Sequence, residues 1–342
     1  MTKALFGLPE QVVFCKRCVI SNQRPNSTVE FKNVKDEEKA TINFDEDEIC
    51  DACRYQDSKA SNIDWEKRED ALKSLCDLHR NNNGDYDVIV PGSGGKDSAY
   101  ASHVLKYKYG MNPLTVTWAP HKYTEIGWKN FENWIHEGGL DNILFTPNGK
   151  LHRHLTKEAF TNLLHPFQPF IVGQRIIGPM MAAKFNVKLV FYGENQAEYG
   201  NNVDENYTPT MDKKFFSVDD PMDIMLGGKS IRNIISETDF KLNDFKPYVP
   251  PKAEYLESKG VEVHYLGYYL PWDPQECYYY ATENTGFQSN SERTEGTYSK
   301  YSSIDDKIDM FHYLTTLVKF GIGRATYDAA QEIRNNKITR EE

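Results

Sequence analysis

A glycine-rich turn between an apolar run and a helix-forming run carries the most chemical information in this chain. Residues 88–91 read VIVP, and residues 92–98 read GSGGKDS. Glycines let backbone N–H groups turn toward a bound anion, and the N-terminus of the next helix adds a favourable dipole. Lys96 supplies positive charge, whereas Asp97 is out of place for holding phosphate alone. A carboxylate beside phosphates usually means that Mg²⁺ lies between them, so the turn predicts a phosphate-binding loop with magnesium.

The two commonest nucleotide-binding motifs do not fit this loop. A Walker A motif needs Gly five residues before the Gly-Lys pair and Ser or Thr after the Lys. Those positions hold Val90 and Asp97. The dinucleotide fingerprint G-x-G-x-x-G does not fit either. The loop therefore belongs to another class of phosphate-binding turn.

A second group of acidic residues follows a later apolar run. Residues 189–192 read LVFY, Gly193 and Glu194 come directly after them, and Glu198 follows four positions after Glu194. In a parallel sheet, ligands bind at the carboxyl ends of the strands, so this segment and the glycine-rich turn are predicted to share one edge. The carboxylates then face the bound phosphates. A solvated acidic loop is the alternative.

Four of the six cysteines form two C-x-x-C pairs, Cys15 with Cys18 and Cys50 with Cys53. Two such turns can present four thiolates to a tetrahedral zinc ion, which leaves no open position and so predicts a structural metal. Disulfides or an iron–sulfur cluster are the alternatives. The apolar stretches TVEF and TINF between the pairs alternate like strands and predict a hairpin.

Composition and charge limit the class of protein. The chain has 342 residues, a net charge of −10 and a pI of about 5.5. Nucleic-acid binders carry a basic excess, so nucleic acid is not expected as a partner. No apolar run approaches the roughly 20 residues that span a bilayer, and the N-terminus lacks the layout of a signal peptide. We therefore expect a cytoplasmic protein that does not bind membranes.

Strand-like and helix-like segments alternate through the middle of the chain. Four apolar runs, DYDVIV, NPLTVTWA, NILFTP and VKLVFYGEN, are separated by segments with helical spacing, and VEVHYLGYY is a candidate fifth strand. This alternation predicts an α/β fold with a parallel sheet covered by helices on both faces. Residues 64–80 and 304–334 are also predicted to be helical, the latter as two helices.

The SGGKDS loop resembles that of the PP-loop ATP pyrophosphatases, and the whole chain resembles the N-acetyl sugar amidotransferase family of the WbpG/PseA type. The motifs that carry the second resemblance are FCKRCVIS, ICDAC, PGSGGKDS, VTWAP, YGENQAEYG, HYLGYYLPWD, GTYSKYSSIDDKID and the ending from VKFGIGRATYD. The resemblance implies a PP-loop (adenine nucleotide alpha hydrolase-like) domain. It also divides the chain into a zinc-binding module (1–62), a linker helix (63–84), the ATP-binding domain (85–270) and a helical C-terminal segment (271–342).

The family resemblance also implies a reaction. ATP adenylates the acetamido oxygen of an N-acetylated, often nucleotide-linked sugar, ammonia displaces AMP, and an acetamidino sugar and pyrophosphate result. A separate glutaminase, similar to the subunits of imidazole glycerol phosphate synthase, supplies the ammonia. The implied cofactors are ATP, Mg²⁺ and structural Zn²⁺. The implied catalytic residues are Lys96, Asp97, Glu194 and Glu198, and the implied cofactor-binding residues are Ser93, Gly94, Gly95, Lys96, Asp97, Ser98, Trp118 and Gly193.

Two other functions compete with this prediction. A tRNA-thiolating PP-loop enzyme also combines this loop with cysteine pairs, but it should have a basic surface. A nucleotide-binding regulator without activity would not require two carboxylates, here Asp97 and Glu194, near the phosphates.

Overall fold

The computed structural model describes residues 4–201 and 207–342, and its centre is a five-stranded parallel sheet. The strands are β1 (Val88–Pro91), β2 (Pro113–Trp118), β3 (Asp141–Phe145), β4 (Leu189–Tyr192) and β7 (Glu262–Tyr265). Their order across the sheet is β3-β2-β1-β4-β7, and every neighbouring pair is parallel. A separate two-stranded antiparallel ribbon pairs β5 (Met225–Leu226) with β6 (Lys229–Ser230).

Helices connect and cover the sheet. In chain order they are α1 (Asp51–Ser61), α2 (Trp65–His79), α3 (Lys96–Tyr107), α4 (Glu125–His136), α5 (Gly149–Leu163), α6 (Gln168–Phe185), α7 (Ile231–Glu237), α8 (Ala253–Ser258), α9 (Leu266–Tyr269), α10 (Pro274–Thr285), α11 (Asp309–Phe320) and α12 (Arg324–Arg334). Short 3-10 turns cover Glu30–Lys32, Gln196–Tyr199, Lys213–Phe215, Pro221–Asp223 and Leu242–Tyr248.

Both faces of the sheet are buried, which is why its inner strands are continuous apolar runs. Along β1, Val88 and Val90 point to the core beneath α2, α3 and α10, whereas Ile89 points to the opposite core beneath α5 and α6. The α/β fold with a parallel sheet is therefore confirmed. None of the helices in the two described ranges is long and apolar enough to cross a bilayer.

The strand order places a crevice at a definite point of the sheet. From β1 the chain moves outward through β2 to β3, and it then returns to the other side of β1 with β4 and β7. The connections after β1 and β4 therefore diverge at neighbouring strand ends. Ligands of open α/β sheets bind at such a switch point.

The predicted hairpin between the cysteine pairs is wrong. TVEF ends in the 3-10 turn Glu30–Lys32, and TINF makes only isolated bridges, at Thr41 to Pro25 and at Phe44 to Cys50. The apolar side chains of the two stretches enter different cores: Phe31 packs with the α5–α6 side of the sheet, whereas Ile42 packs with the cysteines. Burial at two separate places satisfies the alternating pattern without strand pairing.

Candidate functional site

The predicted phosphate loop lies between β1 and α3, at the crevice. Gly94 has a φ of +83°, and a Cβ there would come within 2.8 Å of the Phe131 Cα atom in α4. Only glycine fits such a left-handed position so close to another backbone. Ser98 lies in the first turn of α3 and donates its hydroxyl to the Gly95 carbonyl at 3.0 Å. The loop therefore presents the first N–H groups of α3 at the mouth of the crevice.

Lys96 and Asp97 form an ion pair within this loop. The Lys96 Nζ lies 2.5 Å from the Asp97 Oδ2 atom, and the two side chains are 11% and 34% exposed. Burial opposes the charge on Lys96, but the Asp97 carboxylate outweighs it and raises the pKa of the ammonium group. Lys96 is therefore a cation at neutral pH, and Asp97 keeps enough exposure to reach a ligand.

The segment after β4 brings a second carboxylate to the same place. Glu194 and Asp97 line one cavity, together with Ser93, Gly94, Gly95 and Lys96. Gly193 holds the turn close to the protein, because a Cβ there would lie 2.8 Å from the Trp272 ring. Carboxylate oxygens beside a phosphate loop are the hard donors that Mg²⁺ prefers, so Asp97 and Glu194 fit a magnesium ion.

The cavity has a volume of about 520 Å³, which lies within the range of small-molecule and cofactor sites. Its walls come from three parts of the chain. The phosphate loop and Glu194 form one wall, residues near the cysteine pairs such as Arg24 and Ile42 form another, and the last fifty residues form the third. The third wall includes Asp305, Asp309, His312, Tyr313, Arg324 and Asp328.

Hydrogen bonds around Asp306 tie the C-terminal wall to the loop after β2. Its carboxylate accepts from the His121 N–H at 2.7 Å, the His121 Nδ1 atom at 3.0 Å and the Lys122 N–H at 3.3 Å. Thr124 N–H donates to the Asp305 carbonyl at 3.1 Å. Residues 304–307 are therefore fixed on the loop after β2, next to the phosphate loop.

Asp305 and Asp309 are site residues that the sequence prediction did not assign. Asp305 accepts a hydrogen bond from the Ser93 side chain, and burial raises its pKa, with Asp306 adding to the effect. Burial raises the pKa of Asp309 to about 8, and the neighbouring charges of Asp305 and Asp306 act in the same direction. Burial thus favours the protonated form of both carboxyl groups, and Asp309 can hold or release a proton near neutral pH.

The raised pKa of Asp309 predicts a stability effect with a definite sign. In the unfolded chain an Asp has a pKa of about 3.9, so the folded state binds this proton more tightly and loses stability as the pH rises toward 8. Asp309→Asn should remove that loss and raise the melting temperature at pH 9 by at least about 3 °C relative to the parent protein. Thermal unfolding from pH 5 to 9 measures it, with the exposed Asp77→Asn as control. Parallel curves for the parent and Asp309→Asn would contradict the assignment.

Four predicted site residues do not line the cavity: Ser98, Trp118, Gly193 and Glu198. Trp118 is 2% exposed at the end of β2, where its ring packs against Phe145 and Tyr248. Glu198 is 6% exposed and pairs with Lys59 outside the cavity walls. Gly193 and Ser98 shape the two loops through backbone and capping contacts.

The four paired cysteines come together in one buried cluster. Their Sγ atoms all lie within 4.8 Å of one another. Cys15 and Cys53 Sγ are 3.9 Å apart, and Cys18 and Cys50 Sγ are 3.7 Å apart. A tetrahedral zinc ion with Zn–S bonds of about 2.3 Å requires sulfur separations of about 3.8 Å. The cluster can therefore bind zinc, and four thiolates would leave no site for a substrate.

The C-terminal helices pack on this cysteine cluster. Ile322, Ala330 and Ile333 share its apolar core, and Arg340 donates to the carbonyl groups of Cys15 and Cys18. The cluster thus supports the same helices that wall the cavity. Its role is positional, because it fixes elements rather than touching the phosphate loop.

Loss of the cluster should therefore unfold this part of the protein. The purified protein is expected to hold about one zinc ion per chain. Cys50→Ser should abolish that zinc and lower the melting temperature by about 10 °C or more, because binding energy of the metal is also folding energy. Elemental analysis and thermal unfolding measure both, with Cys76→Ala, a buried thiol outside the cluster, as control. Protein without metal, or with iron–sulfur absorption, would contradict the zinc assignment.

Comparison with known families gives a match in the C-terminal wall of the cavity. Residues 295–342 match the family described as LPS biosynthesis protein WbpG-like, C-terminal domain. Residues 295–342, called the WbpG-like domain below, are therefore similar to the C-terminal domain of that family. This match confirms the resemblance to the WbpG type. The WbpG-like domain contains Asp305, Asp306, Asp309 and Arg324, so the carboxylates beside Ser93 belong to it.

Among the solved structures that are similar to this chain at low sequence identity, two are named synthetases. The NH3-dependent NAD synthetase of Campylobacter jejuni is 18% identical with a TM-score of 0.30, and the alignment covers 38% of this chain and 56% of that enzyme, little more than half. The NMN synthetase of Francisella tularensis is 13% identical with a TM-score of 0.31, covering 81% of this chain and 94% of that enzyme. None of the curated proteins matches the sequence.

Proposed function

We propose that this chain is an ATP-dependent, AMP-forming carbon–nitrogen ligase: an amidotransferase that converts the acetamido group of an N-acetylated, nucleotide-linked sugar into an acetamidino group. We place the reaction in bacterial lipopolysaccharide or nonulosonic-acid biosynthesis. The observation that carries the proposal is one cavity shared by the SGGKDS loop, Glu194 and the WbpG-like domain. The first two suit ATP, and the third supplies a separate wall for the acceptor.

In the first step the acetamido oxygen attacks the α-phosphorus of ATP. An O–P bond forms, the bond from the α-phosphorus to the bridging oxygen breaks, and pyrophosphate leaves with the electron pair. Lys96 stays charged beside Asp97 and neutralises the developing charge on pyrophosphate. Bound Mg²⁺, held by Asp97 and Glu194, would supply further charge neutralisation.

In the second step ammonia attacks the activated carbon. The new C–N bond forms, the C–O bond breaks, and AMP leaves with its electron pair. The nitrogen then carries a surplus proton, which the carboxylate of Asp309 takes up. A carboxyl group whose pKa is raised to about 8 by burial suits this role, because a general base works best near the operating pH.

The cysteines argue against tRNA thiolation. Four of the six are gathered in the cluster, and the other two, Cys76 and Cys277, are buried. Burial raises the pKa of Cys277 well above its ordinary value and that of Cys76 to about 11, so both stay protonated. A sulfur-carrying thiolate would have to be accessible and ionised.

Mass spectrometry of the acceptor tests the proposed function. The purified protein is incubated with ATP, Mg²⁺, ammonium and a panel of N-acetylated nucleotide-sugars. Replacing the amide oxygen by NH should lower the mass of the sugar by about one unit, as expected for substitution at an activated acyl group. An unchanged mass across the panel, or a sulfur-containing product, would contradict the proposal.

A further inference from the structure

A buried ion pair joins the acidic loop after β4 to helix α1. The Lys59 Nζ atom lies 2.7 Å from the Glu198 Oε1 atom, and each side chain is only 7% exposed. The same ammonium group donates to the Trp272 carbonyl at 3.1 Å. Arg334, from α12, donates to the Glu198 backbone carbonyl at 3.1 Å. Glu198 is thus held directly by α1 and α12, and through Lys59 it is also linked to Trp272.

The position of Glu198 bears directly on Glu194. Only three residues separate them, and they form a tight turn: the Asn195 side chain accepts from the Ala197 N–H at 3.1 Å, and a 3-10 turn follows. On the other side of Glu194, Gly193 packs beneath Trp272, the residue whose carbonyl also accepts from Lys59. The ion pair and Trp272 therefore fix the loop on both sides of Glu194.

Stability alone does not account for this pair. Removing two charges from water is costly, and replacing a buried ion pair with apolar residues of similar size is often neutral or stabilising. Burial raises the pKa of Glu198, and Lys59 acts against that rise without cancelling it. A buried ion pair with this desolvation cost fits a role in fixing geometry, because the two charged side chains can pair in only a few orientations.

We propose that Glu198 is a positioning residue, which through its ion pair with Lys59 sets Glu194 where it serves the magnesium ion of ATP. The proposal rests on the proposed function only for the identity of the ligand, MgATP. Residues that orient metal ligands typically change metal affinity by 10–100-fold when they are replaced. The Lys59–Glu198 pair should therefore control the magnesium requirement of ATP binding.

The test replaces both partners at once, Lys59→Met with Glu198→Met, so that no unpaired charge is left buried. The double variant should keep its zinc content and melt within about 3 °C of the parent protein. The Mg²⁺ concentration that half-saturates ATP binding, measured by calorimetry without turnover, should rise about tenfold or more. The exposed pair Asp70 and Lys73, changed to Asn and Gln, is the matched control and should leave it unchanged.

A second background separates positioning from general damage. In Glu194→Gln protein the double replacement should add little further rise, because both changes act on one ligand. The proposal would be overturned if the double replacement raised the magnesium requirement as much in Glu194→Gln protein as in the parent protein. An unchanged magnesium requirement in the double variant would also overturn it. Glu198→Gln keeps the shape and an oxygen acceptor, and it decides the question by the same readout if the double variant does not fold. Because the binding assay needs no acceptor sugar, failure of the proposed reaction would show separately as absent turnover.

Discussion

Asp97→Asn is expected to lower turnover at least about 100-fold while the protein stays folded. The carboxylate lies 2.5 Å from Lys96 and faces the cavity, where it would both orient that lysine and bind magnesium. Removing one preorganised charged group from a reaction centre typically costs about 10²–10³ in rate. The side chain is one-third exposed, so an amide of the same shape should not disturb the core.

Pyrophosphate release measures this effect, and the exposed Asp77→Asn variant, on α2, is the control. The loss should appear mainly in kcat at saturating ATP, because the charge matters most as pyrophosphate departs. Turnover within about threefold of the parent protein would remove Asp97 from the mechanism.

With the chain alone, ammonium is expected to support the reaction and glutamine is not. Glutamine hydrolysis by a cysteine amidotransferase requires an accessible thiolate, whereas all six cysteines of this chain are buried. A separate glutaminase, similar to the subunits of imidazole glycerol phosphate synthase, is therefore our proposed ammonia source. At neutral pH most ammonium is protonated, so delivery by a partner would raise the concentration of neutral ammonia at the site.

The measurement compares initial rates with ammonium and with glutamine at equal concentration. We expect at least about a 100-fold preference for ammonium, which should shrink when a competent glutaminase is added, because delivery replaces diffusion. The glutamate released is measured in parallel, because it reports hydrolysis of glutamine. Efficient use of glutamine by the purified chain would contradict the need for a partner.

The phosphate loop could be predicted because its signals are local. Glycines, a lysine and an aspartate follow an apolar strand within a few residues, and strand, turn and helix formed as expected around Gly94 and Lys96. The helices over residues 65–79 and 309–334 also follow from periodicity, with a break at Gly321. Each depends on neighbours in sequence rather than on the assembled fold.

The opposite wall of the cavity could not be predicted by spacing. The side chains of Ser93 and Asp305 form a hydrogen bond although more than two hundred residues separate them in the chain. The residues around Asp305 give no sign that it lies next to a phosphate loop. The sequence did contain a signal, three carboxylates within the SSIDDKID stretch, but such clusters are common on surfaces. Contacts of Asp306 with the loop after β2 decide its place, and those exist only once the sheet has formed.

The two carboxylates after β4 were predicted together from one motif, but the structure separates them. Glu194 and Glu198 share one short loop and were both expected at the site, but Glu194 lines the cavity whereas Glu198 turns away to Lys59. Which direction each takes depends on α1, whose position follows from the cysteine cluster. The hairpin prediction was wrong for a related reason, because Phe31 and Ile42 pack into different hydrophobic cores.

The nucleotide products of the complete reaction test the central claim most directly. Chromatography of a reaction with ATP, Mg²⁺, ammonium and an accepted N-acetylated sugar should yield AMP and pyrophosphate in equal amounts, because the reaction that we propose begins with attack at the α-phosphorus. Omitting the sugar should stop the release of both. ADP and inorganic phosphate as the main products would contradict the account.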